Sequence, residues 1–105
     1  MSLHCLEHGN HASKITYFFL HGFMGNATEW NSIISNLNQS MPFDPHFISI
    51  DLPGHGQSSI KNETSFKSTI KDLSDLITEK KTQKNILIGY SLGGRMSLYL
   101  ESIFP

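Results

Sequence analysis

Three short apolar runs, at residues 15–20 (ITYFFL), 47–50 (FISI) and 86–88 (ILI), are separated by segments long enough to cross a sheet, and this spacing most limits the fold. Each run is rich in β-branched and aromatic residues and bounded by polar or turn residues, as short strands are. Continuous apolar runs suit parallel strands covered on both faces. The segments between them carry a helical period instead. In NATEWNSIISNLNQ, Trp30, Ile33, Ile34 and Leu37 fall on one face, and Asn26 and Glu29 have the spacing of a capping box. Phe66, Ile70, Leu73 and Ile77 repeat that period over a second segment with charges on its other side, and a third helix is expected from Ser91 to about Ile103. Alternation of this kind makes an α/β architecture, a parallel sheet with right-handed crossovers and flanking helices. A weaker strand at residues 3–6 is expected to join as a hairpin turning at Gly9 and Asn10. The 105 residues suffice for one domain, and no repeat or linker divides them.

Composition excludes several function classes. The net charge is −1, the basic residues are scattered, and no aromatic-plus-basic stripe offers a nucleic-acid surface. The longest apolar run near the start, residues 17–20, is far too short for a membrane span, and no basic leader precedes it. A single cysteine, Cys5, forbids an internal disulfide and suits a reducing cytoplasm. His4, Cys5, His8 and His11 crowd ligand-type side chains together, but their spacing matches no zinc pattern, so the segment reads as a polar turn. No metal and no cofactor is expected, and the oligomeric state is left open.

The third run leads directly into a motif with chemistry. Gly89-Tyr90-Ser91-Leu92-Gly93 has the Gly-x-Ser-x-Gly form of a nucleophile elbow, a strained strand-to-helix turn that lifts a serine hydroxyl clear of the sheet. At the first turn of a helix the dipole favours negative charge and N–H groups are unpaired. Ser91 is thus the expected nucleophile, with the N–H of Leu92 as one donor of an oxyanion site. In LHGFMGN, Gly22 and Gly25 free the backbone to aim a second donor, the N–H of Phe23, at the same point. His21, and His55 in DLPGHGQS, stand beside glycine turns and read as histidines held by local hydrogen bonds rather than as bases. Trp30, in phase with Ile33, Ile34 and Leu37, reads as core.

FLHGFMGNATEW, IDLPGHGQSS and GYSLGGRMSLYL, in this order and separation, resemble the α/β-hydrolase family from about residue 15 onward. Within it, Tyr90 before the serine and Arg95 four residues after it resemble the synthases of 2-succinyl-6-hydroxy-2,4-cyclohexadiene-1-carboxylate in menaquinone biosynthesis. An arginine near a helix N-terminus opposes the dipole and costs stability unless an anion compensates. Four positions on from Ser91, it shares the serine's side of the helix, where a guanidinium suits bidentate carboxylate binding; an arginine snorkelling to solvent is the alternative. The resemblance implies a lyase. Its serine, deprotonated with help from a histidine, removes a proton beside a carbonyl system and pyruvate leaves, with Tyr90 and Arg95 contacting a small anionic substrate and Trp30 a further candidate. A serine esterase or thioesterase is the second reading, and a non-catalytic binding module the third.

In such folds the triad runs serine, then acid, then histidine along the chain. All six histidines precede Ser91, no aspartate follows it, and Glu101 lies too far along the helix to be the acid. If the strand order is second, first, third, the run at 86–88 would also form an open edge, where a strand covered on both faces should be central. Residues 1–105 are therefore expected to be one incomplete α/β-hydrolase domain, the N-terminal part of a longer enzyme. Its acid and histidine would lie beyond Pro105, and the piece alone would be inactive.

Overall fold

The structure is a computed structural model that describes residues 3–22, 24–52, 58 and 66–103. The described elements are β1 (Cys5–Gly9), β2 (Ile15–Leu20), a 3-10 turn (Ala27–Trp30) continuing into α1 (Asn31–Ser40), β3 (His46–Ile50), α2 (Phe66–Lys80), β4 (Lys84–Gly89) and α3 (Leu92–Ile103). The four strands form one sheet in the order β1-β3-β2-β4. β2 runs parallel to both neighbours, with Leu20 opposite Ile50 on one side and Gly89 on the other. The three apolar runs thus take the order second, first, third; β2 coincides with its run, whereas β3 and β4 extend beyond theirs.

β1 departs from expectation. It does not form a hairpin with β2 but pairs antiparallel with β3, Cys5 opposite Ile50 and Gly9 opposite His46. Both edges of β2 are already occupied by strands with more apolar surface to bury. β1 carries Glu7 and His8 and is half-buried along most of its length, which suits an edge. The chain still turns after Gly9, which adopts φ +80, and the Asn10 N–H donates to Pro45 O at 3.2 Å. The turn therefore carries the chain past the end of β3 to reach β2.

Helices cover both faces. On one, Phe18, Leu20, Ile48 and Ile50 pack against Ile70, Leu73 and Leu76 of α2 and Met96 and Leu100 of α3. On the other, Phe19 and Phe47 pack against Ile34 of α1, with Tyr17, Trp30 and Leu37 at the margin. Strand alternation sends successive side chains of β2 to opposite layers, so this six-residue strand serves both cores. The helix starts need adjustment. Asn26 caps the 3-10 turn by accepting from the Thr28 N–H at 2.9 Å, whereas the Glu29 N–H donates to the Asn26 main-chain oxygen at 3.2 Å, so the cap is one residue tighter than the expected box. Phe66 is 46% exposed rather than in the core, its ring edge-on to Tyr99. Ile86, Leu87 and Ile88 are half-buried, because β4 is the sheet's outer strand.

Candidate active site

The carboxyl ends of β2, β3 and β4 are brought level by the register, and the chain's unusual backbone lies there. Ser91, between β4 and α3, has φ +55, a left-handed conformation that side chains rarely adopt, and it is exposed. Hydrogen bonds on either side of it hold the corner. The Tyr90 N–H donates to Leu20 O, the Gly93 N–H to Tyr90 O and the Arg95 N–H to Ser91 O, each at 3.0 Å. A β-carbon on Gly89 would strike the Gly93 carbonyl, and one on Gly93 would strike Leu20 O and lie 2.6 Å from His21 O. The two glycines of the motif are thus required by close approach: they let the start of α3 sit against the ends of β4 and β2.

Leu92 opens α3, and its N–H makes no hydrogen bond among the described residues. Arg95, one turn later, is exposed and forms no ion pair among the described residues, so its helix position is as expected and it faces solvent. Tyr90 is 70% exposed and lies over Gly22, where a β-carbon would come within 2.9 Å of the ring. Phe23 and His55 lie outside the described residues. Beside Phe23, Met24 has φ +68 and the Gly25 N–H closes a turn onto Gly22 O at 3.0 Å. Tyr90, His21, Gly22, Glu29, Trp30 and Ile33 line a cleft of about 200 Å³ next to the elbow. Trp30 packs on Phe19, ring centroids 5.0 Å apart, as a core residue would, and it also faces this cleft.

His21 is fully engaged. Its Nε2 accepts from the Leu52 N–H at 3.0 Å, which leaves the proton on Nδ1 to donate to Gly22 O at 2.7 Å. Both ring nitrogens tie the loop after β2 to the end of β3, the local role expected of it. Sequence reasoning missed a second brace. Buried Asp51 accepts from the Ala27 N–H at 2.7 Å through one oxygen and meets His4 Nδ1 at 2.6 Å through the other. Ser58 joins it, its Oγ donating to Asp51 O at 2.6 Å while accepting from the His4 N–H at 2.8 Å. Asp51 was visible only as the first residue of a glycine-containing loop.

Two displaced titrations, those of His46 and Glu7, lie toward the opposite end of the sheet. Burial pushes the His46 imidazole down, against the pull of Glu7. Burial alone would raise the Glu7 carboxyl, but the Lys80 ammonium at 3.1 Å, with His46 and His11, holds it below its usual value. The His4, Cys5, His8 and His11 crowd is dispersed, His4 going to Asp51. Among the described residues, the group that could hold a metal ion is Glu7, His11 and His46.

Residues 18–105 match the profile of the alpha/beta hydrolase fold. The chain belongs to that family. Among similar α/β-hydrolase proteins is the 2-succinyl-6-hydroxy-2,4-cyclohexadiene-1-carboxylate synthase of Serratia proteamaculans, 40% identical over 88 residues that cover 84% of this chain and 32% of that protein. Another is the pimeloyl-[acyl-carrier protein] methyl ester esterase of Wigglesworthia glossinidia brevipalpis, 33% identical over 94 residues, 90% of this chain and 33% of that protein. The solved structure of MenH from S. aureus superposes with a TM-score of 0.77 at 28% identity, over 91% of this chain and 36% of that one. This α/β-hydrolase chain thus spans about a third of the length of the relatives it matches. No described helix is long and apolar enough to cross a membrane.

Proposed function

We propose that this chain carries the serine-bearing part of a lyase that expels pyruvate from a succinyl-enolpyruvyl-cyclohexene carboxylate to give 2-succinyl-6-hydroxy-2,4-cyclohexadiene-1-carboxylate in menaquinone biosynthesis. The observation behind this reading is an exposed serine at a left-handed corner, followed by a helix N–H unpaired among the described residues and an exposed arginine one turn on. Ser91, as alkoxide, takes the proton next to the carbonyl system. The Leu92 N–H, with that of Phe23, holds the oxygen on which charge develops, and Arg95 and Tyr90 hold the substrate's anionic groups. No cofactor takes part. The base that deprotonates Ser91 is the later histidine that the serine, acid, histidine order of such triads implies; both nitrogens of His21 are occupied and His46 lies at the far end of the sheet. On this reading the enzyme works in the cytoplasm, to which a single free thiol, Cys5, is suited.

The likeness to a methyl ester esterase favours a second reading, a serine esterase or thioesterase using the same corner. One experiment separates them. The chain is joined to the downstream two-thirds of a synthase relative, and pyruvate release and ester hydrolysis are measured side by side. Pyruvate release that falls by about 10³-fold or more in Ser91→Ala supports the lyase, as does a KM raised about tenfold or more in Arg95→Ala. Ester turnover dependent on Ser91 without pyruvate release rejects the lyase in favour of the esterase.

A further inference from the structure

At the amino end of β3, remote from Ser91, three side chains from separate parts of the chain converge. Glu7 comes from β1, His11 from the turn after it and His46 from the first position of β3. His46 Nε2 lies 3.0 Å and His11 Nδ1 3.7 Å from the same oxygen, Glu7 Oε1, and one ligand atom from each residue lies within 4.8 Å of the others. Nitrogen and oxygen ligands around a tetrahedral zinc ion, at about 2.0–2.2 Å from the metal, stand about 3.3–3.5 Å apart, so small movements would close this set on one ion.

A second observation is independent of that spacing. The His46 side chain is 6% exposed, yet Nε2 makes no hydrogen bond of acceptable alignment among the described residues, even with Glu7 at 3.0 Å. A buried imidazole nitrogen in that condition costs stability unless something accepts its lone pair or its proton. His11, 69% exposed and 4.7 Å from the His46 ring centroid to centroid, leaves a path from solvent. The geometry points to a binding site for a divalent transition-metal ion of the zinc class, held by Glu7 Oε1 and the imidazoles of His11 and His46, with water completing the shell. Two imidazoles and one carboxylate are a donor set such ions take.

The same arrangement sets the ion's role. His46 begins β3, whereas Ile50 ends it beside Leu20, the strand end that supports the elbow. An ion there would clamp β1 and its turn to β3 and touch no reacting atom. Lys80 holds the other oxygen of Glu7 at 3.1 Å, so its charge opposes the ion while leaving Oε1 facing the imidazoles. That opposition gives the site a distinguishing response. Sequence reading missed this site because His46 is far from the N-terminal crowd and is delivered by the β1–β3 pairing.

The test is titration of the chain, stripped with chelator, with Zn²⁺ by calorimetry and with Co²⁺ by visible absorption. One ion per chain is expected, with Co²⁺ bands of nitrogen and oxygen ligands and no thiolate charge transfer. His11→Ala, at an exposed position, should weaken Zn²⁺ binding about tenfold or more, the least expected when a direct ligand is lost. Lys80→Met should tighten it, and Cys5→Ser should leave it unchanged. The inference is overturned if Zn²⁺ does not bind at micromolar concentration, if His11→Ala binds as well as the parent, or if Cys5→Ser abolishes binding. Glu7→Gln, checked by circular dichroism for an unchanged fold, should weaken binding as His11→Ala does; unchanged affinity likewise overturns the assignment.

Discussion

Gly93 and Gly94 are adjacent in the first turn of α3, and replacing each with alanine should move stability in opposite directions. In a helix, Gly to Ala normally gains about 0.8–1 kcal/mol through chain entropy. At Gly94 nothing opposes this, because the nearest atom to an added β-carbon is Gly89 O at 3.4 Å, an ordinary contact. At Gly93 the added carbon would run into Leu20 O and sit 2.6 Å from His21 O. Both obstacles are main-chain atoms at the end of the central strand, with no side chain that could swing aside, so α3 itself must lift. Overpacking of this kind costs about 1–3 kcal/mol, and with rigid backbone on the far side the upper end applies. After the entropy gain, about 2 kcal/mol of net loss remains, which for a domain of about 100 residues lowers Tm by roughly 8–16 °C. Gly94→Ala should raise it by about 4–8 °C. Thermal unfolding followed by circular dichroism measures both. If the two variants shift in the same direction, or Gly93→Ala stays within about 2 °C of the parent, then α3 does not rest against the end of β2 as described.

Three further outcomes follow from the same fold. Ser91 has φ +55, so Ser91→Gly should be more stable than Ser91→Ala by about 1 kcal/mol in urea unfolding, reversing the usual order. Equal stabilities would mean the corner is not left-handed in solution. Phe18→Ala, at a fully buried site, should cost about 3–5 kcal/mol, whereas Phe66→Ala, 46% exposed, should cost about 1 kcal/mol or less by the same measurement. His21→Ala removes the acceptor of the Leu52 N–H and should cost about 1–3 kcal/mol; faster amide exchange at Leu52 is the specific sign. Unchanged exchange there would show that His21 does not brace the two loops.

What could be read from the chain beforehand follows the range of the interaction concerned. The strands β2, β3 and β4 were legible because each is a contiguous apolar run, and their parallel pairing followed from the segments between them, long enough to cross the sheet. The elbow was legible because its glycines, its serine and the helix behind it are neighbours in sequence, so a short motif contains most of the geometry. His21 could be read as structural for a similar reason, since one of its two partners is the next residue. Elements whose role depends on a distant partner were not legible. The period of α2 includes Phe66, but as the helix's first residue it lies exposed against Tyr99, so periodicity alone overstates its burial. β1 had a strand's composition without any sign of which edge it would join.

The braces show the same limit more sharply, because each requires two segments to arrive before its chemistry exists. His4 and Asp51 are 47 positions apart, and His4 meets Ser58 across 54. In sequence His4 stood out only as one of a crowd of ligand-type side chains, and the three meet only because β1 crosses to the outer edge of β3, which sets His4 beside the residue that follows that strand. The same crossing places Glu7 next to His46 at the other end. Had β1 formed the expected hairpin with β2, neither constellation would exist, since each draws one side from β1 or its flank and the other from β3 or the residue after it. One strand's choice of edge therefore decides both how the loop before α1 is tied down through Asp51 and whether the chain has a place for a metal ion.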